Sequence, residues 1–218
     1  MIFGGKGNDL IYGGYGNDEI YGGHGADTII GSLVNQSAGA PPAEDEFDSD
    51  DEEYGNGNDL IFGGRGNDNI RGGAGHDRLF GGNGSDNISG GAGEDILIGG
   101  AGGDHLLGGS ENDIFRFDSV RHITTKKGAD DRIVDFAQGE DKIDLSSIDA
   151  ATDSPGHQRF IFAGEGQLDE AFSSKLHYRY LDHVNKTVVF GDVNGDRHPD
   201  FYLEIQGEHM LQEADFIL

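Results

Sequence analysis

Ten aspartates recur in the same setting: Asp9, Asp18, Asp27, Asp59, Asp68, Asp77, Asp86, Asp95, Asp104 and Asp113. Each stands nine residues from the next, apart from the longer step between Asp27 and Asp59. Glycines precede them at fixed offsets. A pair comes first: Gly4 and Gly5, Gly13 and Gly14, Gly22 and Gly23, Gly63 and Gly64, Gly72 and Gly73, Gly81 and Gly82, Gly90 and Gly91, Gly99 and Gly100. A third glycine then stands two residues before the aspartate, at Gly7, Gly16, Gly25, Gly57, Gly66, Gly75, Gly84, Gly93 and Gly102, and Gly55 is what remains of the pair in its repeat. Glycine admits the positive φ that bends a chain tightly and turns its carbonyls toward one point. Carbonyl and carboxylate oxygens are what calcium takes, about six to eight of them. The chemistry this spacing points to is the binding of a hard cation.

Two residues after each aspartate the side chain is always apolar: Ile11, Ile20, Ile29, Ile61, Ile70, Leu79, Ile88, Leu97, Leu106 and Phe115. The repeat G-G-x-G-x-D-x-U-x, with U apolar, therefore reads as a turn followed by a very short strand. Two such nonapeptides make one coil of 18 residues, with the U side chains inside and the turns stacked along two edges. Asp59, Asp77, Asp95 and Asp113 then line one edge, Asp68, Asp86 and Asp104 the other, and Asp9 lies above Asp27. Stacked carboxylates repel unless a cation sits between them. Glycine-rich coils also have the most conformational freedom to lose, so the roll is expected to fold with calcium and to be disordered without it. The fold class expected is all-β, a parallel β-roll with a C-terminal β cap.

The 218 residues carry 41 acidic against 15 basic side chains, a formal charge of −26, and no cysteine. That charge disfavours nucleic acid and anionic membranes as partners. No apolar run approaches the roughly 18 to 20 residues of a membrane span. Disulfides and thiolate metal sites are excluded together, so an extracellular protein would need another staple, and calcium can serve. The start, MIFGGKGND, does not read as a signal peptide. Neither H-E-x-x-H nor G-x-S-x-G occurs, and the nine histidines show no zinc-ligand spacing, so no active site is expected. His24 and His76 read as exposed turn positions.

At these repeats the chain resembles RTX proteins, the family of hemolysin-type calcium-binding nonapeptide repeats. The segment ADDRIVDFAQGEDKIDLSSID (129–149), the stretch TVVFGDVNGDRHPDFYLEIQG and the ending LQEADFIL resemble the C-terminal domain of serralysin-type secreted proteases. The resemblance implies a roll over 1–116 holding about eight calcium ions and a capping and secretion-signal domain over 117–218. It further implies an extracellular protein exported by type I secretion machinery, with the tail ADFIL in an uncleaved signal. An N-terminal catalytic domain outside this sequence is the partner implied.

Several local expectations follow. Residues 31–54, with eight acids between Glu44 and Glu53, read as a 23-residue insertion in a turn of a roll that continues across it; a solvated acidic loop or weak extra calcium binding would suit them. Val188 and Phe190 against Phe201, Leu203 and Ile205 suggest a hairpin. Asp192, Asn194, Asp196 and Asp200 are spaced like the opening of a calcium loop. Arg197 stands where that loop needs glycine and Leu203 where it needs glutamate, so a plain polar turn remains the other reading. Asp131 and Asp141 are candidates to close a last site at the junction of roll and cap. Three functions fit: a calcium-folded module of a larger exported enzyme or toxin, a stand-alone secreted calcium-binding or adhesin-like protein, and an alginate-type carbohydrate-binding module. A start almost inside a repeat favours the first, and a basic strip of Arg65, Arg71 and Arg78 would favour the third.

Overall fold

The computed structural model describes residues 1–14, 16–32, 57–123, 131–152, 155–166 and 173–218. One inward apolar residue per nonapeptide gives one short strand per nonapeptide, and the glycine turns send successive strands alternately to two sheets. The first sheet contains β1 (Ile2–Lys6), β3 (Glu19–His24), β5 (Leu60–Arg65), β7 (Arg78–Asn83), β9 (Ile96–Ala101), β11 (Ile114–Arg116), β13 (Lys142–Asp144) and β18 (Phe216–Ile217), in that order. The second starts with β2 (Leu10–Gly14), β4 (Thr28–Ser32), β6 (Asn69–Ala74), β8 (Asn87–Ala92), β10 (His105–Ser110) and β12 (Arg132–Ile133). It continues through β17 (Phe201–Gln206), β16 (Lys186–Gly191), β15 (Lys175–Leu181) and β14 (Ile161–Glu165). The all-β parallel roll expected from the repeat is the architecture found.

Register follows the repeat. Ile2 pairs with Ile20, Ile61 with Leu79 and Ile70 with Ile88, each one coil apart. Ile20 pairs with Ile61 and Ile29 with Ile70 across the interruption, so the roll continues past it. Residues 33–56, which hold the acidic stretch and Gly55, lie outside the described residues. The U positions make the core: Ile20, Ile29, Ile61, Leu79, Leu97, Leu106 and Phe115 are fully buried. On the outer face of the first sheet Phe3, Tyr21, Phe62 and Phe80 stack at ring-centroid spacings of 5.1, 5.0 and 4.6 Å, close to the separation of neighbouring strands.

Strand pairing does not break after Arg116. Phe115 pairs with Ile143, Ile143 with Phe216, Leu106 with Ile133, and Ile133 with Ile205, so the apolar columns of the roll run on into the C-terminal part. The segment Phe136–Asp144 is a worn nonapeptide: Gly139, Asp141 and Ile143 keep the spacing of Gly7, Asp9 and Ile11, and Gly139 has φ +89°. β16 and β17 form the expected antiparallel hairpin, but its register sets Val188 and Phe190 opposite Glu204 and Tyr202, so that Val189 rather than either of them faces Leu203. Where this hairpin meets the roll, Glu204 accepts from Arg132 at 2.9 Å and from Lys186 at 2.5 Å. Among the described residues no helix is long and apolar enough to cross a membrane.

Candidate functional site

Each repeat places its aspartate at the end of a turn, directly before a strand, with its side chain turned under the turn. All ten are brought into two rows. Along one edge the backbone N–H of Asp18 donates to Asp59 Oδ1, Asp59 to Asp77, Asp77 to Asp95 and Asp95 to Asp113, at 2.7 to 2.9 Å. Along the other Asp9 donates to Asp27, Asp27 to Asp68, Asp68 to Asp86 and Asp86 to Asp104 over the same range. The 18-residue stacking read from the spacing is the arrangement found. Both rows run on into the C-terminal part, since Asp104 N–H donates to Asp131 Oδ1 at 2.9 Å and Asp113 N–H to Asp141 Oδ1 at 3.0 Å.

From Asp27 and Asp59 onward, one carboxylate oxygen of each aspartate is thus used by the neighbouring coil. The second, Oδ2, is buried and without a hydrogen-bond partner at Asp9, Asp18, Asp27, Asp68, Asp77, Asp86, Asp95, Asp104 and Asp113. Leaving an ionised carboxylate oxygen in this condition is costly. Burial accordingly pushes the carboxyls of Asp77 and Asp104 up to about 6, those of Asp86 and Asp113 up to about 7, and that of Asp95 up to about 8. Facing carboxylates add to the rise at Asp86, Asp95 and Asp113, and burial raises Asp68 and Asp141 as well.

The glycines explain how the oxygens come so close to the backbone. The first glycine of a pair faces inward against the carboxylate of its own repeat: a Cβ on Gly63 would lie 2.5 Å from Asp68 Oδ2 and 2.6 Å from the Gly81 carbonyl oxygen. The third glycine takes positive φ, +130° at Gly66, and its N–H donates to the Asn83 carbonyl one coil on. Glu111 holds this position in the last repeat and adopts φ +80° without being glycine. Among the described residues, no three His, Cys, Asp or Glu side chains gather closely enough to hold a metal ion by themselves. A cation between two turns would therefore draw most of its oxygens from turn carbonyls. The donor set fits a hard ion such as calcium and excludes one that requires nitrogen or sulfur.

The loop 192–200 is different. Asp192 is fully buried, and its Oδ1 accepts from Asn194 N–H and Gly195 N–H while its Oδ2 accepts from Arg197 N–H. Asp200 Oδ2 accepts from Val193 and Asn194 N–H and Oδ1 from the Asn194 side chain; Asp196 Oδ1 accepts from His198 N–H. The four predicted residues are gathered, but the loop's own N–H groups take both carboxylates of Asp192 and Asp200, the pattern of a polar turn. The basic strip is not formed: Arg71 lies on β6 in the second sheet, while Arg65 and Arg78 stand at opposite ends of neighbouring strands in the first.

Two elements escaped the sequence reading. The residues before the aspartates, taken as variable, form at six places a second row of hydrogen bonds outside the first, in which Asn58 Oδ1 accepts from His76 N–H and His76 Nδ1 from Glu94 N–H, each at 2.9 Å. Its signal was asparagine at that place in half of the repeats, Asn8, Asn17, Asn58, Asn67 and Asn112. Asp135 was missed as well; its two oxygens accept from Gly108 N–H at 2.9 Å and Gly109 N–H at 3.0 Å, standing in for a strand that does not reach them.

A roll of glycine–aspartate nonapeptides with carboxylates in two edge rows is an RTX-type repeat module. The family model described as peptidase M10 serralysin C terminal matches residues 2–218, and the chain belongs to that family. Serralysin of Photorhabdus luminescens is 39% identical over 89 residues, which are 40% of this chain and 17% of that protein. Serralysin of Photorhabdus sp. (strain Az29) is 41% identical over 90 residues, with the same shares covered. The chain thus matches about a sixth of the length of these relatives. Among solved structures, the AlgE6R2 subunit of the Azotobacter vinelandii mannuronan C5-epimerase aligns with a TM-score of 0.51 at 26% identity, covering 69% of this chain and 87% of that one.

Proposed function

We propose that this chain is a calcium-folded, non-catalytic module of a larger exported protein. The observation that carries the reading is the double row of buried Oδ2 atoms without partners. Ten turn-to-turn gaps exist, eight between repeat aspartates and two closed by Asp131 and Asp141. The aspartates and glycine-turn carbonyls on either side of a gap would hold the ion. Calcium would supply the positive charge that lets these carboxylates stay ionised while buried. The chain's own part is to keep one oxygen of each carboxylate from Asp27 and Asp59 onward hydrogen-bonded to the preceding coil, so that the other is aimed consistently. Loop 192–200 serves as a structural turn in this reading.

The reading also gives the module a place in export. Where calcium is scarce no binding term offsets the ordering of a glycine-rich chain, and the roll stays unfolded and passable through a type I exporter; outside, binding folds it. The C-terminal part supplies a surface on which the last coil nucleates. The test is far-UV circular dichroism of the chelated chain titrated with calcium. A cooperative rise of β signal with calcium, and a weak response to magnesium, which demands small octahedral sites, is the expected result. Full β structure in chelator at pH 8 would overturn the proposal.

A further inference from the structure

The residues immediately before the aspartates are the unexplained part of the two edges. Asn8 Oδ1 accepts from Ala26 N–H at 3.0 Å, Asn17 Oδ1 from Asn58 N–H at 2.9 Å, and Asn67 Oδ1 from Ser85 N–H at 2.9 Å. Asn58 and His76 continue one edge through His76 N–H and Glu94 N–H, and Ser85 Oγ reaches Gly103 N–H at 3.4 Å on the other. The direction of these bonds is the reverse of the aspartate row. In the aspartate row the earlier coil donates and the later coil's side chain accepts, as from Asp68 N–H to Asp86 Oδ1. In the outer row the later coil donates and the earlier side chain accepts. Asn67 and Asp68 therefore clamp the Ser85–Asp86 turn reciprocally, with two bonds that oppose sliding in either direction.

The geometry points to the residue before each aspartate as a positioning residue, one that fixes the separation and register of two successive turns and so the size of the oxygen cage between them. It rests on the calcium reading given above. A cage built mainly from carbonyls of two separate turns has no covalent means of setting its width, and an ion is sensitive to the distance of its oxygens by a few tenths of an ångström. A side chain that locks turn to turn sets that width as the coils close on the ion. The row breaks at Ala26 and at Gly103, which have no side-chain acceptor; at Ala26 none is offered to Asn67 N–H, so the gap between Asp27 and Asp68 has the aspartate bond and backbone bonds but no outer side-chain bond. That gap is a weak one of its edge.

Calcium titration of the full 15N-labelled chain, read on glycine amides flanking each gap, separates positioning from general stability. Asn67→Ala raises the calcium midpoint at the Asp68–Asp86 gap by roughly two- to fivefold, the scale of one ordinary hydrogen bond, with gaps on the opposite edge unmoved. Asn67→Ser recovers part of the loss, since a serine oxygen already makes this contact at Ser85. Ala26→Asn supplies the missing acceptor and lowers the midpoint at the Asp27–Asp68 gap by a similar factor. Equal shifts at every gap would show a merely structural role and overturn the proposal, as would an unchanged Asp27–Asp68 midpoint in Ala26→Asn. A chain that bound no calcium would bring down the proposed function together with it, whereas normal binding unaffected by these substitutions would bring down this inference alone.

Discussion

Acid should fold the calcium-free roll, and base should unfold it. The perturbation is removal of calcium followed by a change of pH from 8 to 5.5. Burial holds the carboxyls of Asp77, Asp86, Asp95, Asp104 and Asp113 at about 6, 7, 8, 6 and 7, against an ordinary 3.8 in the unfolded chain. With the folded-state values raised, the folded state binds more protons than the unfolded one over the range between. The stability they contribute is complete below pH ~4 and is lost as pH rises through about 6 to 8. A tenfold change in proton affinity is worth ~1.4 kcal/mol. Allowing each of the five carboxyls only one such factor gives ~7 kcal/mol, comparable with the whole stability of a typical domain. The assay is circular dichroism in chelator at both pH values, repeated at pH 8 in ~0.5 M salt, which screens surface repulsion but leaves a buried oxygen unpaired. More β structure at pH 5.5 than at pH 8, not reproduced by salt, is expected. Equal structure at the two pH values, or a salt effect as large as that of acid, would refute the reasoning. With calcium present the trend reverses, because protons then compete with the ion for the same oxygens.

Three further outcomes follow from the two rows. Asp86→Ala, bonded to Asp68 on one side and Asp104 on the other, should remove about two calcium ions by isothermal titration, and Asp9→Ala, at the end of its row, about one; equal losses would contradict the 18-residue stacking. Gly63→Ala should abolish the local site and lower the thermal midpoint strongly, because its Cβ would meet Asp68 Oδ2 at 2.5 Å and a carbonyl oxygen at 2.6 Å with no room to give. Glu111→Gly should raise stability by ~1 kcal/mol in chemical denaturation by relieving a φ of +80°; a destabilised variant would mean that the Glu111 carboxylate matters more than its backbone.

The roll was legible because its period is rigid. Asp, U residue and glycine pair occupy fixed places, and a coil of two nonapeptides leaves one register for Ile61 against Leu79 and for Asp68 against Asp86. The insertion could be subtracted for the same reason. The C-terminal part was legible in its hairpin, through the apolar alternation of Val188 and Phe190 with Phe201, Leu203 and Ile205, and in Asp131 and Asp141, which the two aspartate rows reach. That Ile133, Ile143, Ile205 and Phe216 prolong the core of the roll was hidden by distance along the chain, for Ile133 and Ile205 meet only after an excursion through β14 to β16. Gly139, Asp141 and Ile143 did carry the repeat spacing, but without the glycine pair that made the other copies visible. Loop 192–200 stands between two readings in the sequence. Its acidic spacing suits a cation, yet the tight backbone brings N–H groups onto Asp192 and Asp200, a result that spacing alone does not fix.

The most direct measurement is an anomalous difference map at long wavelength from crystals of the chain grown in calcium. The account predicts two rows of peaks, one along each edge, about 4.8 Å apart and lying between successive glycine–aspartate turns from Asp9 and Asp18 toward Asp131 and Asp141. A map with no peaks in these gaps, or with peaks confined to the 192–200 loop, would contradict it.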